Sequence, residues 1–294
     1  MVLHDYSLKI RLIFLIPSLN LYISIRDSPP QKWNSYAEKD KGLKSMDHTN
    51  LEEFCLRFHA FLDEKPSLPM LIEAGQELFG ELLSDPGWFR GILRKLILDR
   101  DFLKMQEVSV FHNEITLHRS SDRAFSVLAY IWEPHTPSPV HDHGSWGIIG
   151  GLIHQVQERK YRRLDEGQVE GHAELEEISS EVIGPGRTTY VFPLDKGIHR
   201  MEAALDQLAV TVSVYGRSIR KGYVQFFDPS QKKVVQAYPP KLFKEVLAMR
   251  TLGSIPEPWA EDILTAETPA AIPDYLMKEY QLSLSKVRRG KQKE

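Results

Sequence analysis

The feature that most constrains the fold is a series of short β-type segments between residues 105 and 238. Runs of alternating or β-branched residues, among them 125–132, 146–153 and 208–215, are separated by clusters of proline, glycine, aspartate and serine. Many short strands at regular spacing are typical of an antiparallel sandwich or barrel. The sequence therefore predicts a mainly β fold for this region.

Helical segments flank the β region on both sides. Residues 50–62 carry apolar side chains at helical spacing, and the segments 67–84 and 88–98 repeat the pattern. Helical periodicity returns after residue 240. We therefore expect three parts, which are an extension over 1–45, one domain over 46–238 that includes the N-terminal helices, and a helical segment with a basic tail over 239–294.

The first residues contain an apolar stretch that is unsuited to crossing a membrane. Residues 10–25 are interrupted by Arg11 and Pro17, whereas a spanning helix needs about 20 apolar residues. No small-residue cleavage site follows, as it would in a signal peptide. We expect residues 1–45 to be a poorly ordered extension, or translation to begin at Met46.

Charge and cysteine content exclude several classes of protein. The net charge is −3 and the pI about 6.4, so no overall basic field attracts nucleic acid or anionic membranes. The single cysteine, Cys55, excludes an internal disulfide framework and any Cys-rich zinc or iron–sulfur site. We expect a cytoplasmic protein with no nucleic-acid or membrane partner, and the oligomeric state stays open.

Three histidines predict a metal site inside the β region. His141 and His143 follow a strand and a proline turn, and residues two apart on an extended chain point to the same face. His199 follows a later Pro/Gly turn and opens another strand, so a closed barrel could bring it alongside this pair. Asp142 points to the opposite face, and we expect a surface or turn role for it.

This pattern resembles the two cupin motifs, a His-x-His after a proline turn and a later Pro-x-x-x-Gly-x-His. Gly147 and Ile148 occupy the positions where the first cupin motif normally carries a glutamate. A cupin with three histidines and no glutamate resembles the thiol dioxygenases, namely cysteine dioxygenase and its bacterial relatives that act on 3-mercaptopropionate. The resemblance covers about residues 50–230.

The resemblance implies a cupin-type double-stranded β-helix barrel with N-terminal and C-terminal helices. It also implies that His141, His143 and His199 hold Fe(II). The expected reaction oxidises a small mercapto-carboxylate, cysteine or 3-mercaptopropionate, to its sulfinate with O₂. Another metal-dependent cupin enzyme, or a non-catalytic cupin sensor that binds metal or ligand, is the alternative.

The resemblance also assigns catalytic residues on a later strand. The family's Ser-x-His-x-Tyr run corresponds to Thr211, Ser213 and Tyr215, which conserves a hydroxyl group and the tyrosine. Ser213 replaces the family's central histidine, and this departure weakens any relay that orients the tyrosine. Because Cys55 lies in a helix far upstream, we expect no cysteine–tyrosine cross-link of the kind found in the animal enzymes.

A substrate carboxylate needs a cationic partner, and arginine binds carboxylates in a fork. Arg119 is the first choice and His118 the second, since only one of two neighbours on a strand can point inward. Arg217 and Arg220 are reserve candidates. Trp146, which follows the histidine pair, is expected to wall the pocket.

Overall fold

The computed structural model describes residues 49–220, 222–254 and 272–291, with side chains over 51–220, 222–254 and 272–285. The expected extension over residues 1–45 lies outside the described residues, as does part of the C-terminal segment. Among the helices that are described, none is both long enough and apolar enough to cross a membrane.

In the described part of the chain, four α-helices precede the β region, where the helical periodicity predicts a mostly helical segment with three helices. A short 3₁₀ turn, Pro86–Trp88, separates the second from the third, and the Asp85 side chain caps it by accepting the Gly87 N–H at 2.8 Å. The helices are α1 (Thr49–Asp63), α2 (Leu68–Leu83), α3 (Phe89–Leu98) and α4 (Arg100–Met105).

Two antiparallel sheets form the barrel. The strands are β1 (Glu114–Arg119), β2 (Phe125–Trp132), β3 (Val140–His141), β4 (Gly147–Ile153), β5 (Val156–Arg163), β6 (Leu175–Ile183), β7 (Thr188–Val191), β8 (Ile198–Ala203), β9 (Ala209–Gly216), β10 (Val224–Asp228) and β11 (Lys233–Ala237). The first sheet has the order β1-β2-β9-β4-β7, and the second has the order β11-β10-β3-β8-β5-β6. The predicted fold class, a mainly β cupin-type barrel with helices at both ends, is confirmed.

The first sheet is buried on both faces. One face packs against α1, α2 and α3, where Val127 and Val212 meet Phe58 and Phe79 in one apolar cluster. The other face looks into the barrel. Because both faces are covered, β2 and β9 are buried along almost their whole length, and the Thr211 and Ser213 side chains of β9 point into the barrel.

Glycines in β4 allow this double packing. A Cβ atom at Gly150 would lie 2.1 Å from Leu83 Cδ1 and 3.0 Å from Phe79 Cε1, so the missing side chain lets α2 lie directly on the strand. On the barrel side, a Cβ at Gly147 would lie 2.4 Å from Tyr215 Cε1. The absent side chain therefore makes room for the Tyr215 ring inside the barrel.

The C-terminal helices form a small cluster of their own. Among the described residues these helices are α5 (Pro240–Leu252) and α6 (Asp274–Lys291). Val246 and Met249 pack with Leu276. The Glu279 carboxylate accepts the Tyr238 hydroxyl at 2.9 Å and Arg250 Nε at 2.7 Å, which joins the two helices by a half-buried ion pair.

Candidate metal centre

The barrel brings His141, His143 and His199 together, as their spacing predicts. His141 in β3 pairs directly with His199, the second residue of β8. All three imidazoles are buried, and one ligand nitrogen from each lies within 4.8 Å of the others. The closest pair, His143 Nε2 and His199 Nε2, is 2.9 Å apart. This cluster could hold a metal ion.

Hydrogen bonds orient two of the three rings. His141 Nδ1 lies 2.9 Å from the Pro139 carbonyl oxygen, and His199 Nδ1 lies 2.7 Å from Glu158 Oε1. Since both partners accept, each Nδ1 carries the proton and each Nε2 keeps its lone pair facing the cluster. Partners of this kind set the tautomer and orientation of metal-binding histidines.

Burial favours the neutral form of two of the three histidines. Desolvation lowers the pKa of His141 and of His143 well below the usual value, and the neighbouring imidazoles lower it further. Neutral imidazole is the form that binds a metal ion. The donor set therefore suits Fe(II), Zn²⁺, Ni²⁺ or Cu²⁺, and not Mg²⁺ or Ca²⁺, which prefer oxygen ligands.

Glu158 in β5 is a functional residue that sequence reasoning missed. Its side chain is 1% exposed, and its Oε2 accepts the Thr189 hydroxyl at 2.7 Å. Burial alone would raise the pKa of this carboxyl, but the bonds from His199 and Thr189 and the nearby Lys160 lower it overall. Its buried negative charge therefore faces His199.

Changing Glu158 to glutamine is expected to weaken metal binding about 10–100-fold, because the amide can still accept from His199 but carries no charge. Titration with a competing chelator measures this affinity. Glu176→Gln is the matched control, since Glu176 forms an exposed pair with Arg162. Equal affinities for the two variants would show that the Glu158 charge does not act on the cluster.

The expectation that Asp142 has a surface or turn role is wrong. Asp142 does point away from the histidines, but its side chain is fully buried. The Arg220 guanidinium binds both carboxylate oxygens, with Nη1 2.6 Å from Oδ2, and the Gln225 N–H donates to Oδ1 at 2.8 Å. This ion pair ties the segment before β10 to the residue between the two histidines.

The histidine cluster opens onto a cavity of about 10 Å³. This volume is roughly that needed by one water molecule. Besides the histidines, the wall includes Phe111, Tyr130, Trp132, Thr211, Ser213 and Tyr215. The three residues predicted on β9 therefore all reach the cavity.

The three predicted β9 residues make different contacts there. Thr211 accepts the Trp132 indole N–H at 2.9 Å, and the Tyr215 ring stacks on His143 with centroids 4.8 Å apart. Burial raises the pKa of Tyr215, so its hydroxyl stays protonated at neutral pH. The buried Ser213 hydroxyl makes no hydrogen bond of regular geometry within the described residues.

The residues predicted to bind the substrate carboxylate lie outside the cavity wall. Arg119 is exposed and forms a 2.6 Å ion pair with Glu107. The His118 ring packs against Phe125, which belongs to the helix-facing cluster. A register shift in β1 between Thr116 and His118 turns the His118 ring to the helix-facing side. Arg119 pairs with Ser126, which pairs with Tyr215, so Arg119 takes the barrel face but lies at the end of the strand, where its guanidinium pairs with Glu107.

Trp146 and the reserve arginines also lie outside the wall. The Trp146 ring packs against Phe58 of α1, with centroids 6.2 Å apart, and so belongs to the helix-facing cluster. Arg217 donates to the Asp122 carbonyl oxygen at 2.5 Å, and Arg220 is held by Asp142. Among the described residues, no arginine or lysine lines the cavity.

No family model matches the chain. Its neighbours among solved structures are cupin-fold proteins. A cupin 2 conserved barrel domain protein from Salinispora arenicola CNS-205 is 14% identical, with a TM-score of 0.29 over 40% of this chain and 84% of that one. A cupin 2 domain-containing protein from Halorhodospira halophila is 12% identical, with a TM-score of 0.31 over 43% and 75%.

Hydroquinone 1,2-dioxygenase, solved with Cd²⁺ and 4-hydroxybenzonitrile, is similar over 40% of this chain and 72% of that one. The identity is 10% and the TM-score 0.29. The strand order and register described above define the barrel of this chain independently of these likenesses.

Proposed function

We propose that this protein is an iron-dependent dioxygenase of a small thiol, with His141, His143 and His199 as the metal ligands. The observation that carries the proposal is the buried cluster of three imidazoles without a carboxylate among the ligand atoms. Three neutral ligands do not reduce the charge of a divalent ion, and they leave coordination positions open for substrate and O₂. The overall reaction is R–SH + O₂ → R–SO₂H, in which sulfur is oxidised and both oxygen atoms are added to it.

When bound, Fe(II) would supply a positive charge that favours thiolate over thiol and electrons for O₂. The surrounding residues prepare the cavity for such chemistry. Phe111, Ile149 and Met201 provide an apolar wall that excludes bulk water. The Tyr215 hydroxyl, which stays protonated, can donate a hydrogen bond to sulfur or oxygen at the open positions.

Ser213 supplies a second hydroxyl at the position of the family's histidine. It is buried and lines the cavity, and its hydrogen-bonding capacity is not used in a regular bond to the described residues. A buried hydroxyl that makes no well-aligned hydrogen bond costs free energy, which a bound ligand would recover. We therefore assign Ser213 to substrate binding or to orienting Tyr215.

The predicted substrates, cysteine and 3-mercaptopropionate, both carry a carboxylate that would need a cationic partner in the cavity. The carboxylate of either thiol would meet no arginine or lysine in the described cavity wall. Admission of any thiol also requires side-chain movement, because the cavity is so small. Phe111 is the side chain best placed to move, since it lies in a loop, is partly exposed and covers His141 with ring centroids 4.7 Å apart.

A non-catalytic metal-binding role is the second candidate. The small cavity and Ser213 in place of a histidine favour it, since both features reduce the capacity for turnover. Under this alternative the histidine cluster still binds a metal ion, but thiols and O₂ are not consumed.

The oxygen electrode separates these functions. The protein is loaded with Fe(II) without air and then given O₂ with cysteine, 3-mercaptopropionate or cysteamine. We expect oxygen uptake with at least one thiol, with one sulfinate formed for each O₂ consumed. Iron retention without uptake for any of the three thiols would overturn the dioxygenase proposal in favour of the binding module.

A further inference from the structure

The Glu114 carboxylate lies next to Tyr130, one of the residues that line the cavity at the histidine cluster. Glu114 in β1 pairs with Tyr130 in β2, which in turn pairs with Thr211 in β9, so all three side chains share the barrel face of the first sheet. Glu114 Oε2 accepts the hydroxyl of the cavity residue Tyr130 at 3.1 Å and that of Ser109 at 2.8 Å. Neither the metal cluster nor the proposed reaction explains this carboxylate.

Glu114 forms no ion pair with the described residues. Arg119 lies on the same strand, but its guanidinium pairs with Glu107 on the exposed side. Burial raises the pKa of Glu114 despite its two hydroxyl donors and the more distant Arg119, as expected for a carboxylate with too little positive charge around it. A cationic group of a bound substrate beside Glu114 would supply the missing positive charge.

Two carboxylates lie next to the cavity, and among the described residues only one of them has a basic side chain within ion-pair distance. Glu158 accepts from His199 and lies 3.5 Å from Lys160 Nζ, whereas Glu114 accepts the Tyr130 hydroxyl and has no such cation. The cationic residues expected to bind a carboxylate lie elsewhere. Partly desolvated charges of this kind discriminate strongly by sign, so the wall disfavours a second anionic group on the substrate and favours a cation. The Phe111 and Tyr130 rings add faces that attract cations.

Resting on the proposed function, we infer that the substrate is an aminothiol, with its sulfur towards the histidine cluster and its ammonium group towards Tyr130 and Glu114. Glu114 is then the residue that determines specificity. The turn that holds it also holds Phe111, because the Glu114 N–H donates to the Phe111 carbonyl oxygen at 3.2 Å. Phe111 must move to admit the thiol, and this movement takes place beside the Glu114 carboxylate, which binds the ammonium group of the substrate.

Binding without turnover tests this inference. Protein loaded with Co²⁺ is titrated calorimetrically, without O₂, with cysteamine and with 3-mercaptopropionate. These thiols have similar length but opposite charge at the far end. We expect cysteamine to bind at least about tenfold more tightly, which corresponds to ~1.4 kcal/mol.

Glu114→Gln removes the charge but keeps an acceptor for Tyr130 and Ser109. We expect this variant to retain its metal, to bind cysteamine about tenfold more weakly, and to lose the preference between the two thiols. Glu133→Gln is the control, because Glu133 is exposed at the end of β2. It is expected to leave both affinities unchanged.

Tighter binding of 3-mercaptopropionate, or unchanged cysteamine affinity in Glu114→Gln, would overturn the inference. Failure of the proposed function would give a different result. Cysteamine would still bind more tightly in calorimetry, but the iron-loaded protein would take up no oxygen with any thiol. Oxygen uptake with 3-mercaptopropionate but not with cysteamine would support the dioxygenase and overturn the aminothiol assignment.

Discussion

Replacing His199 with alanine is expected to leave the protein without bound metal and without thiol-dependent oxygen uptake. His199 is central to the cluster, since it pairs with His141, lies 2.9 Å from His143 and donates a hydrogen bond to Glu158. Two imidazoles alone form a much weaker chelate than three. Metal content after loading and desalting, measured by mass spectrometry, checks the result.

A second variant separates metal loss from unfolding. His199→Ala also leaves the buried Glu158 carboxylate without its imidazole donor, which itself costs stability. His143→Ala removes a ligand without this effect and is expected to lose metal equally while keeping the circular dichroism of the wild type. His172→Ala is the control, because His172 forms an isolated bridge with Lys233 of β11 and lies outside the histidine cluster. Full metal content in both cluster variants would mean that the ion binds elsewhere.

Replacing Arg220 with methionine is expected to destabilise the fold by about 3–5 kcal/mol, because it leaves the buried Asp142 charge without its partner. The Asp142 side chain is fully buried and that of Arg220 is 13% exposed, so solvent screens the pair weakly. Because Asp142 lies between His141 and His143, metal affinity should fall as well. Urea unfolding measures the first effect, and chelator competition measures the second.

The control for Arg220→Met is the double variant that combines Asp142→Asn with Arg220→Met. This double variant removes both charges and keeps an oxygen that can accept the Gln225 N–H, so it should recover much of the lost stability. A double variant as unstable as Arg220→Met alone would show that the guanidinium contributes through packing and not through charge.

The positions of the metal ligands could be predicted because they depend on local geometry. His141 and His143 are two residues apart on extended chain, and the turn before His199 places it at the start of a strand. The alternation on β9 likewise predicts that Thr211, Ser213 and Tyr215 share one face, and all three line the cavity. Period-two alternation suffices for such assignments.

The residues that the sequence could not place depend on long-range pairing. Glu158 lies in the charged segment Val156–Arg163, which has no clear strand pattern, and its role follows only from its hydrogen bond to His199. The partner of Asp142 is 78 residues away. His118 follows a register shift that no local pattern reveals, and Arg119 pairs with Glu107 instead of reaching the cavity. Each error therefore involves a contact that the chain makes only when the barrel closes.

The close approach of α2 to β4 at Gly150 has a practical consequence for the boundaries of the folding unit. The helix-facing side of the first sheet, with Phe125, Val127 and Ile148, is covered by residues from α1 to α3. A fragment that begins at β1 would present this whole apolar surface to water and would be expected to aggregate. The N-terminal helices thus cover the outer face of the first sheet, and any shortened version of the protein must keep them.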